Sequence, residues 1–289
     1  MTLRVAVLAA REGWHTHELE RALRERGHEG IVLPYEALVA SIGGRPSLRS
    51  RSTELDAVDA VLARIIPSGS LEQIIFRVDA LHRLEDRGVR VVNSPRVIER
   101  TVDKLWTSAL LEQCGLPTPE TVVCEDPDEA FAGFRALGGD VIVKPLFGSM
   151  GLGMVRVSDE EMAWRVFRTI ERINGVFYLQ RVVDHGGRDI RAFVLGGRVL
   201  AAIERRAEGW RTNLARGGTA APCRLSSEET SLAVRAAAAV GAEYAGVDLL
   251  PAPDGSTYVL EVNGIPGWQG LQTATGIDVA AALVAHLDG

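Results

Sequence analysis

The stretch VIVKPLFGSMGLG, residues 141–153, decides how this sequence is interpreted. Its first three residues are apolar and β-branched, which predicts a strand that ends at Lys144. The glycines that follow, Gly148, Gly151 and Gly153, permit backbone conformations that turn amides toward an anion. The stretch is not a P-loop, since no Gly-Lys-Ser/Thr follows, and it is not a dinucleotide-binding fingerprint. Alone, it fits either a phosphate-binding loop or a plain glycine-rich hairpin.

Lysine is scarce in this chain, which gives Lys144 more weight. Lys104 and Lys144 are the only lysines among 32 lysines and arginines. Lysine is a compact point charge, whereas arginine is a planar fork, and lysine is a usual phosphate binder. Lys144 lies beside the glycine loop, and Lys104 follows Asp103 at the start of a helical pattern. Together with the glycine loop they indicate a polyphosphate site. For either lysine alone, the alternative is an accident of composition.

The composition is that of a globular protein with two or three compact units. The chain has 289 residues, of which 46% are hydrophobic and 24% charged. A net charge of −6 argues against general nucleic-acid binding. Three cysteines without paired metal spacing fit a reducing compartment, and no stretch approaches the roughly 20 apolar residues of a membrane span. We expect a soluble cytoplasmic protein without a membrane partner.

The first third of the chain alternates between strand and helix patterns, which predicts a mostly parallel sheet. Residues 41–53, rich in Gly, Ser and Arg, predict an irregular loop. Asn93-Ser94-Pro95 predicts the start of a helix. We therefore place an N-terminal βα domain at residues 1–95.

The rest of the chain is divided into a central unit at 96–183 and a strand-rich unit at 184–289. In the second unit, Gly196-Gly197 is a hairpin signal. Residues 208–222 predict a polar loop, and Ser226 predicts the N-cap of a helix.

A carboxylate cluster is predicted near the end of the chain. Glu261 and Asn263 are two apart on a predicted strand and share a face. The turn signal Asp254-Gly255 places Asp248 opposite Glu261. Facing carboxylates repel, and neither strand contains a basic residue, so the sequence predicts a divalent cation, which such oxygen ligands suit. A solvated polar face is the alternative.

Arginines are concentrated just before this cluster. Arg205, Arg206 and Arg211 fall within seven positions, a pattern suited to phosphate or carboxylate contacts. A solvated loop is the alternative. Asp189 and Arg191 share a strand face, and for them the alternative is a surface ion pair.

Taken in order, the motifs of this chain resemble the ATP-grasp superfamily, and in particular its RimK-like glutamate ligases. The resemblance covers roughly residues 95–289, and the preceding region fits the βα domain that precedes an ATP-grasp fold. It implies a mixed α/β and α+β architecture with an N-terminal parallel sheet. The motifs are Asp103-Lys104, Val143-Lys144-Pro145 with Gly148 to Gly153, Leu179-Gln180, Asp189-Ile190-Arg191, Ala202 to Ala207, Arg211 to Gly218, Ala245 to Asp248 and Glu261 to Gly267.

The resemblance also implies roles for individual residues. ATP would be bound through Lys104, Lys144, Gly148, Ser149, Met150, Gly151, Gln180, Arg181, Val182, Val183 and Asp189, with backbone of 180–183 at the adenine and Asp189 near the ribose. Arg205, Arg211 and Asn213 would face the transferring phosphate and the substrate. Asp248, Glu261 and Asn263 would hold Mg²⁺, or Mn²⁺ in its place. One residue departs from the family pattern: Arg181 follows Gln180 where a glutamate is usual.

The activity implied is ATP-dependent ligation through an acyl phosphate. The substrates would be L-glutamate and a small carboxylate acceptor, such as a tetrahydromethanopterin-type cofactor, and the protein would be a homo-oligomer. A ribosomal or carrier protein tail is the alternative acceptor. A different class of function is also open, an ATP-binding regulatory module that has lost turnover. Arg181 is the only residue that favours it.

Overall fold

The computed structural model describes residues 1–148, 151–212 and 217–289, and these residues form four sheets with helices packed on them. The strands are β1 (Arg4–Ala9), β2 (Glu29–Pro34), β3 (Leu38–Ala40), β4 (Leu48–Ser50), β5 (Thr53–Glu54), β6 (Ala60–Ala63), β7 (Arg90–Val92), β8 (Thr121–Cys124), β9 (Val141–Lys144), β10 (Val155–Val157), β11 (Phe177–Arg181), β12 (Arg188–Leu195), β13 (Arg198–Arg206), β14 (Thr219–Pro222), β15 (Tyr244–Pro251) and β16 (Thr257–Asn263). The α-helices are α1 (Trp14–Glu25), α2 (Leu71–Asp86), α3 (Pro95–Val102), α4 (Lys104–Gln113), α5 (Pro127–Ala136), α6 (Glu160–Arg172), α7 (Ser227–Val240), α8 (Gln269–Thr275) and α9 (Val279–Leu287).

The N-terminal sheet has the order β2-β1-β6-β7, and its strands are parallel, as predicted. Strand β1 is apolar from Val5 to Ala9 and buried throughout this run, which is typical of a parallel strand covered on both faces. The prediction of an irregular loop at 41–53 is wrong for its second half, because β4 lies there and pairs with β3 on one side and with β5 on the other. Ser47 holds this segment through two hydrogen bonds to Asp56, of 2.6 and 2.8 Å.

The central sheet has the order β10-β9-β11-β8, and β9 and β10 are antiparallel neighbours joined by the glycine loop. Its apolar core is separate from the other cores and includes Phe134, Phe167 and Phe177. The rings of Phe167 and Phe177 meet edge to face, with centroids 5.4 Å apart.

The C-terminal sheet is antiparallel, in the order β14-β13-β12-β15-β16. The predicted hairpin at Gly196-Gly197 joins β12 and β13, and Ser226 caps α7 through a capping box with Glu229, both as predicted. The prediction of a polar loop at 208–222 is incomplete, because strand β14 lies within it.

The N-terminal and C-terminal sheets share one apolar core. Val7 and Leu62 of the first sheet lie in the same cluster as Phe193 and Tyr244 of the last. Asn93, fully buried after β7, donates its side-chain amide to the carbonyl oxygens of Tyr244 at 2.7 Å and Gly264 at 2.6 Å.

Helix α4 also packs on the C-terminal side. Its Leu111, with Leu116, belongs to the core formed by α7 and the C-terminal sheet. Among the described helices, none has the length and apolarity needed to cross a membrane.

Candidate functional site

One face of the C-terminal sheet changes from apolar to charged along its strands. At one end Phe193 and Tyr244 are stacked in the shared core, with ring centroids 6.1 Å apart. Residues two apart on a strand share a face, so Arg191 and Asp189 continue this face beyond Phe193. Strand pairing places Asp248 opposite Arg191. A row of charged side chains therefore crosses neighbouring strands next to the core.

Asp189 and Arg205 form a buried ion pair with two hydrogen bonds. They are cross-strand partners, and Arg205 donates from Nε to Oδ1 at 2.7 Å and from Nη2 to Oδ2 at 2.5 Å. Burial opposes the charge of Arg205, but the carboxylates of Asp248 and Asp189 outweigh it and raise the pKa of the guanidinium. The surface ion pair considered for Asp189 and Arg191 is not found, because Asp189 is only 2% exposed and each residue pairs with a neighbouring strand.

Asp248 is neutralised by arginines of other strands, which corrects the argument from sequence. The carboxylate is buried and accepts two hydrogen bonds from Arg191, one of them 2.7 Å long from Nη2. Nη2 of Arg205 lies 3.1 Å away. Burial raises the pKa of Asp248, but Arg191 and Arg205 more than compensate and hold it below its usual value. A divalent cation is therefore not needed to balance Asp248, because the cations stand on β12 and β13 rather than on β15 or β16.

The predicted register of the carboxylates is confirmed. Asp248 lies opposite Glu261, and the strands shift register just after Asp248. Glu261 is half-buried. Burial lowers the pKa of both Lys104 and Lys144, and the negative charge of Glu261 opposes this lowering. Asn263 donates its side-chain amide to the Gly246 carbonyl at 3.3 Å, and none of the described residues donates to its side-chain oxygen.

These oxygens fit a Mg²⁺ ion that keeps some of its waters. Within the described ranges, no three His, Cys, Asp or Glu side chains gather as a metal-binding group. A metal at Glu261 and Asn263 would therefore depend on ligands supplied by a bound phosphate and water, with Asp248 shared with the arginines.

Gly246 leaves room for Arg191. A Cβ atom at this position would lie 2.9 Å from Cβ of Pro266 and 3.0 Å from Nη1 of Arg191. The glycine next to the cluster thus allows the guanidinium to reach Asp248.

Lys144 is buried with a neutral partner. Its Nζ donates to Oε1 of Gln180 at 2.6 Å, and Gln180 in turn donates to Oγ1 of Thr121 at 3.1 Å. Burial is the main cause that lowers the pKa of Lys144, to about 8, and the charge of Lys104 adds to it, while Glu261 opposes it. A bound anion would supply the counter-charge that this ammonium lacks.

Lys104 contacts the glycine loop itself. Its Nζ donates to the carbonyl oxygens of Leu146 at 3.2 Å and Gly148 at 3.0 Å. Gly148 and Gly151 have φ of 140° and 65°, in the region that favours glycine. Ser149 and Met150, also predicted to bind ATP, lie outside the described residues.

The loop after β13 contacts the other end of the glycine loop. Arg211 donates from Nη2 to the carbonyl oxygen of Met154, and its guanidinium lies 4.5 Å from the ring centroid of Trp210. Thr212 donates from Oγ1 to Oδ2 of Asp189 at 2.7 Å. Asn213, the third predicted catalytic residue, lies outside the described residues.

The segment predicted to contact adenine leaves β11 beside Gln180. The N–H of Arg181 donates to the Glu120 carbonyl at 2.8 Å, and that of Val182 to the Asp140 carbonyl at 3.2 Å. These two donors are therefore occupied, and Val183 follows them. The Arg181 side chain is half exposed and forms an ion pair with Glu120, so its charge is directed to the outer edge of the sheet.

The structure brings most of the predicted residues to one place. Lys104 and Lys144, which lie beside the glycine loop, interact electrostatically with Glu261 on the C-terminal sheet. Sequence reasoning noted Arg191 but gave it no role, and it overlooked Thr212. The same-face spacing of Asp189 and Arg191 was the available signal for Arg191, whereas nothing local distinguishes Thr212.

Comparison with known proteins identifies two matching families. Residues 3–98 match the RimK PreATP-grasp domain, and residues 101–287 match the RimK-like ATP-grasp domain.

Full-length relatives are also similar. A tetrahydromethanopterin:alpha-L-glutamate ligase of Methanosarcina acetivorans is 34% identical, covering 96% of this chain and 95% of its own. A probable alpha-L-glutamate ligase of Thioalkalivibrio sulfidiphilus is 35% identical, covering 95% and 91%. The ATP-grasp ligase PsnB, solved with minimal precursor, Mg and ADP, superposes with a TM-score of 0.77 over 98% of this chain and 96% of that one, at 22% identity.

Proposed function

This chain belongs to the RimK-like ATP-grasp family, and on that premise we propose that it is an ADP-forming ligase that joins L-glutamate to a carboxylate acceptor. A small-molecule acceptor is favoured, because a relative that covers nearly the whole chain is named as a tetrahydromethanopterin:alpha-L-glutamate ligase. We place the reaction in the cytoplasm, where ATP is available and free cysteines stay reduced.

One observation carries the proposal. Lys144 is a buried ammonium whose hydrogen-bond partner, Gln180, is neutral, and the carboxylates of Glu261 and Asp248 act on its charge only from a distance. A buried charge needs compensation, and a phosphate group of ATP would provide it. Lys104, at the glycine loop, would add a second contact to the same polyphosphate.

We assign to this site the acyl-phosphate chemistry that membership of the family implies. A carboxylate oxygen of the acceptor attacks the γ-phosphorus, the bond to the bridging oxygen breaks, and ADP leaves. The glutamate nitrogen then attacks the acyl carbon, phosphate leaves, and the nitrogen loses its proton as the amide forms. Arg205 and Arg211 would stabilise negative charge on the transferring phosphoryl group, which is how protein groups accelerate such steps.

Mg²⁺ would be held by Glu261 and Asn263 together with Asp248, and it would neutralise phosphate charge. Asp189 was assigned to the ribose by resemblance. Here both of its oxygens are bonded to Arg205 or Thr212, so we assign Asp189 to holding Arg205. The Val183 backbone follows the occupied donors of the segment and is the group we assign to adenine.

The reaction is tested by product analysis with purified protein. Glutamate, ATP and a panel of carboxylate acceptors should give ADP and phosphate, and an ¹⁸O-labelled acceptor carboxylate should transfer one ¹⁸O to phosphate. AMP and pyrophosphate as products would refute the proposal. Label-free phosphate would exclude an acyl phosphate.

The role of Arg205 needs a separate test. Arg205→Ala should reduce turnover far more than ATP affinity, the pattern of an interaction made mainly in the transition state. Arg206→Ala is the matched control, because Arg206 is the next residue and its exposed side chain pairs with Glu204. Equal losses of ATP affinity and turnover in Arg205→Ala would make Arg205 a binding residue only.

A peptide acceptor is the second candidate. It is favoured by the fold shared with PsnB, which was solved with a minimal precursor. The acceptor panel therefore includes peptides with acidic C-terminal tails beside small carboxylates. ATP binding without turnover on either class would instead support a non-catalytic module.

A further inference from the structure

Thr212 connects the charged row of the C-terminal sheet to the loop that follows β13. Its side chain is buried, and its hydroxyl donates to Oδ2 of Asp189 at 2.7 Å. The same oxygen accepts from Nη2 of Arg205 at 2.5 Å. Asp189 therefore bonds at once to the strand arginine and to the loop threonine.

The residue before Thr212 contacts the segment that leads into the central sheet. Arg211 donates to the carbonyl of Met154, next to β10, and stacks against Trp210. Its Nε is buried and has no hydrogen-bond partner among the described residues. Arg211 is thus held by few polar contacts of its own, which makes the adjoining Thr212 bond important for its position.

The backbone around Thr212 is closely packed. A Cβ atom at Gly218 would lie 2.6 Å from the carbonyl oxygen of Thr212, and one at Gly187 would lie 2.3 Å from that of Ala207. Both ends of the described loop therefore approach other backbone directly. Between these close approaches, the described residues are held by two side-chain hydrogen bonds, from Arg211 to the carbonyl of Met154 and from Thr212 to the carboxylate of Asp189.

We infer that Thr212 is a positioning residue of the ligation reaction: its hydroxyl fixes Arg211 relative to Arg205, so that both guanidinium groups reach the same phosphoryl group. This inference rests on the proposed function. Thr212 contacts no reacting atom, and it acts through Asp189 and Arg211.

The test compares substitutions that separate the hydroxyl from the methyl group. Thr212→Val keeps the shape and removes the hydroxyl, and it should lower kcat by about tenfold or more while ATP affinity, measured by calorimetry, stays within about twofold. Thr212→Ser keeps the hydroxyl and should retain most of kcat. Thr219→Val is the matched control, because Thr219 is exposed on β14, and it should behave as the unmodified protein.

A second measurement does not depend on activity. Trp210 emission, obtained as the difference between each variant and the same variant with Trp210→Phe, reports the position of Arg211 on its ring. It should change in Thr212→Val and not in Thr212→Ser. If Thr212→Val does not fold, Thr212→Ala replaces it in both measurements.

The outcomes are distinguishable. Unchanged kcat and unchanged emission in Thr212→Val would overturn the inference. Equal losses in Thr212→Val and Thr212→Ser would also overturn it, since the hydroxyl that Thr212→Ser retains would then not preserve kcat. Absence of ADP-forming turnover in the unmodified protein would refute the proposed function. In that case the Trp210 emission alone decides whether the hydroxyl holds Arg211.

Discussion

Lys144 and Gln180 are joined by a 2.6 Å hydrogen bond in which a buried ammonium is paired with an uncharged amide oxygen. The ammonium is thus held in place without being neutralised. Several measurable properties follow from this pairing and from the arginines on the opposite sheet.

The ATP affinity should depend on the charge of Lys144. Its pKa is about 8, so the ammonium deprotonates above that pH and ATP should bind roughly tenfold more weakly per pH unit. Calorimetry at pH 8.5 in two buffers of different ionisation enthalpy should detect proton uptake on binding. Lys144→Met should bind ATP weakly and lose this uptake. Equal uptake in both proteins would assign it to another group.

Lys144 should also make the free energy of unfolding rise in alkali. The unfolded side chain has a pKa of 10.5 and the folded one about 8, so the unfolded state binds more protons between these values and stability increases with pH there. The full contribution is about 3 kcal/mol, present as a penalty below pH 8. Urea unfolding at pH 7.5 and 9.5 should show a smaller increase in Lys144→Met than in the unmodified protein.

Gln180→Glu should stabilise the fold and weaken ATP binding. The new carboxylate would lie beside Lys144, raise the pKa of its ammonium group and neutralise the positive charge that a phosphate otherwise balances. We expect a higher melting temperature and an ATP affinity reduced by about tenfold or more. Gln180→Met removes the partner without adding charge and serves as the control. Tighter ATP binding by Gln180→Glu would contradict a phosphate at Lys144.

Divalent metal should bind poorly without nucleotide, because Arg191 and Arg205 already form ion pairs with the carboxylate of Asp248. Arg191→Gln should increase the affinity for free Mn²⁺, measured by electron paramagnetic resonance, and it should destabilise the fold by about 3–5 kcal/mol, as breaking a buried ion pair does. Glu261→Gln should weaken Mn²⁺ binding in the presence of ADP. Identical Mn²⁺ binding in all three proteins would place the metal elsewhere.

Gly246→Ala should displace Arg191 from Asp248. The added methyl group would lie 2.9 Å from Pro266 and 3.0 Å from Arg191, and overpacking of this kind costs about 1–3 kcal/mol. Turnover should fall together with the melting temperature. Gly44→Ala is a suitable control, because its Cβ would make only an ordinary 3.4 Å contact with Ser41.

The sequence predicts well what is local. Ser226 caps its helix, Gly196-Gly197 forms its hairpin, and the turn after β15 sets Asp248 opposite Glu261. Each depends on residues within a short stretch, where propensity and spacing act directly.

The contacts that could not be predicted from the sequence join strands that are far apart in the chain. Arg191 and Asp248 are 57 residues apart, and their contact requires β12 to pair with β15 in one register. Counting charges on β15 and β16 alone therefore missed the arginines that balance Asp248. Strands β4 and β5 were overlooked for another reason, since they are short and their segment is held by polar bonds from Ser47.

The core shared by the first and last sheets has a mechanical consequence. With Asn93 bonded to Tyr244 and Gly264, these two parts form a rigid frame, while the central sheet keeps a core of its own. We therefore expect the central sheet, including β9 and β10, to move as one body relative to this frame when nucleotide binds. Amide hydrogen exchange should therefore be slow at the junction of the frame, whether or not nucleotide is bound, and nucleotide-sensitive along β9 and β10.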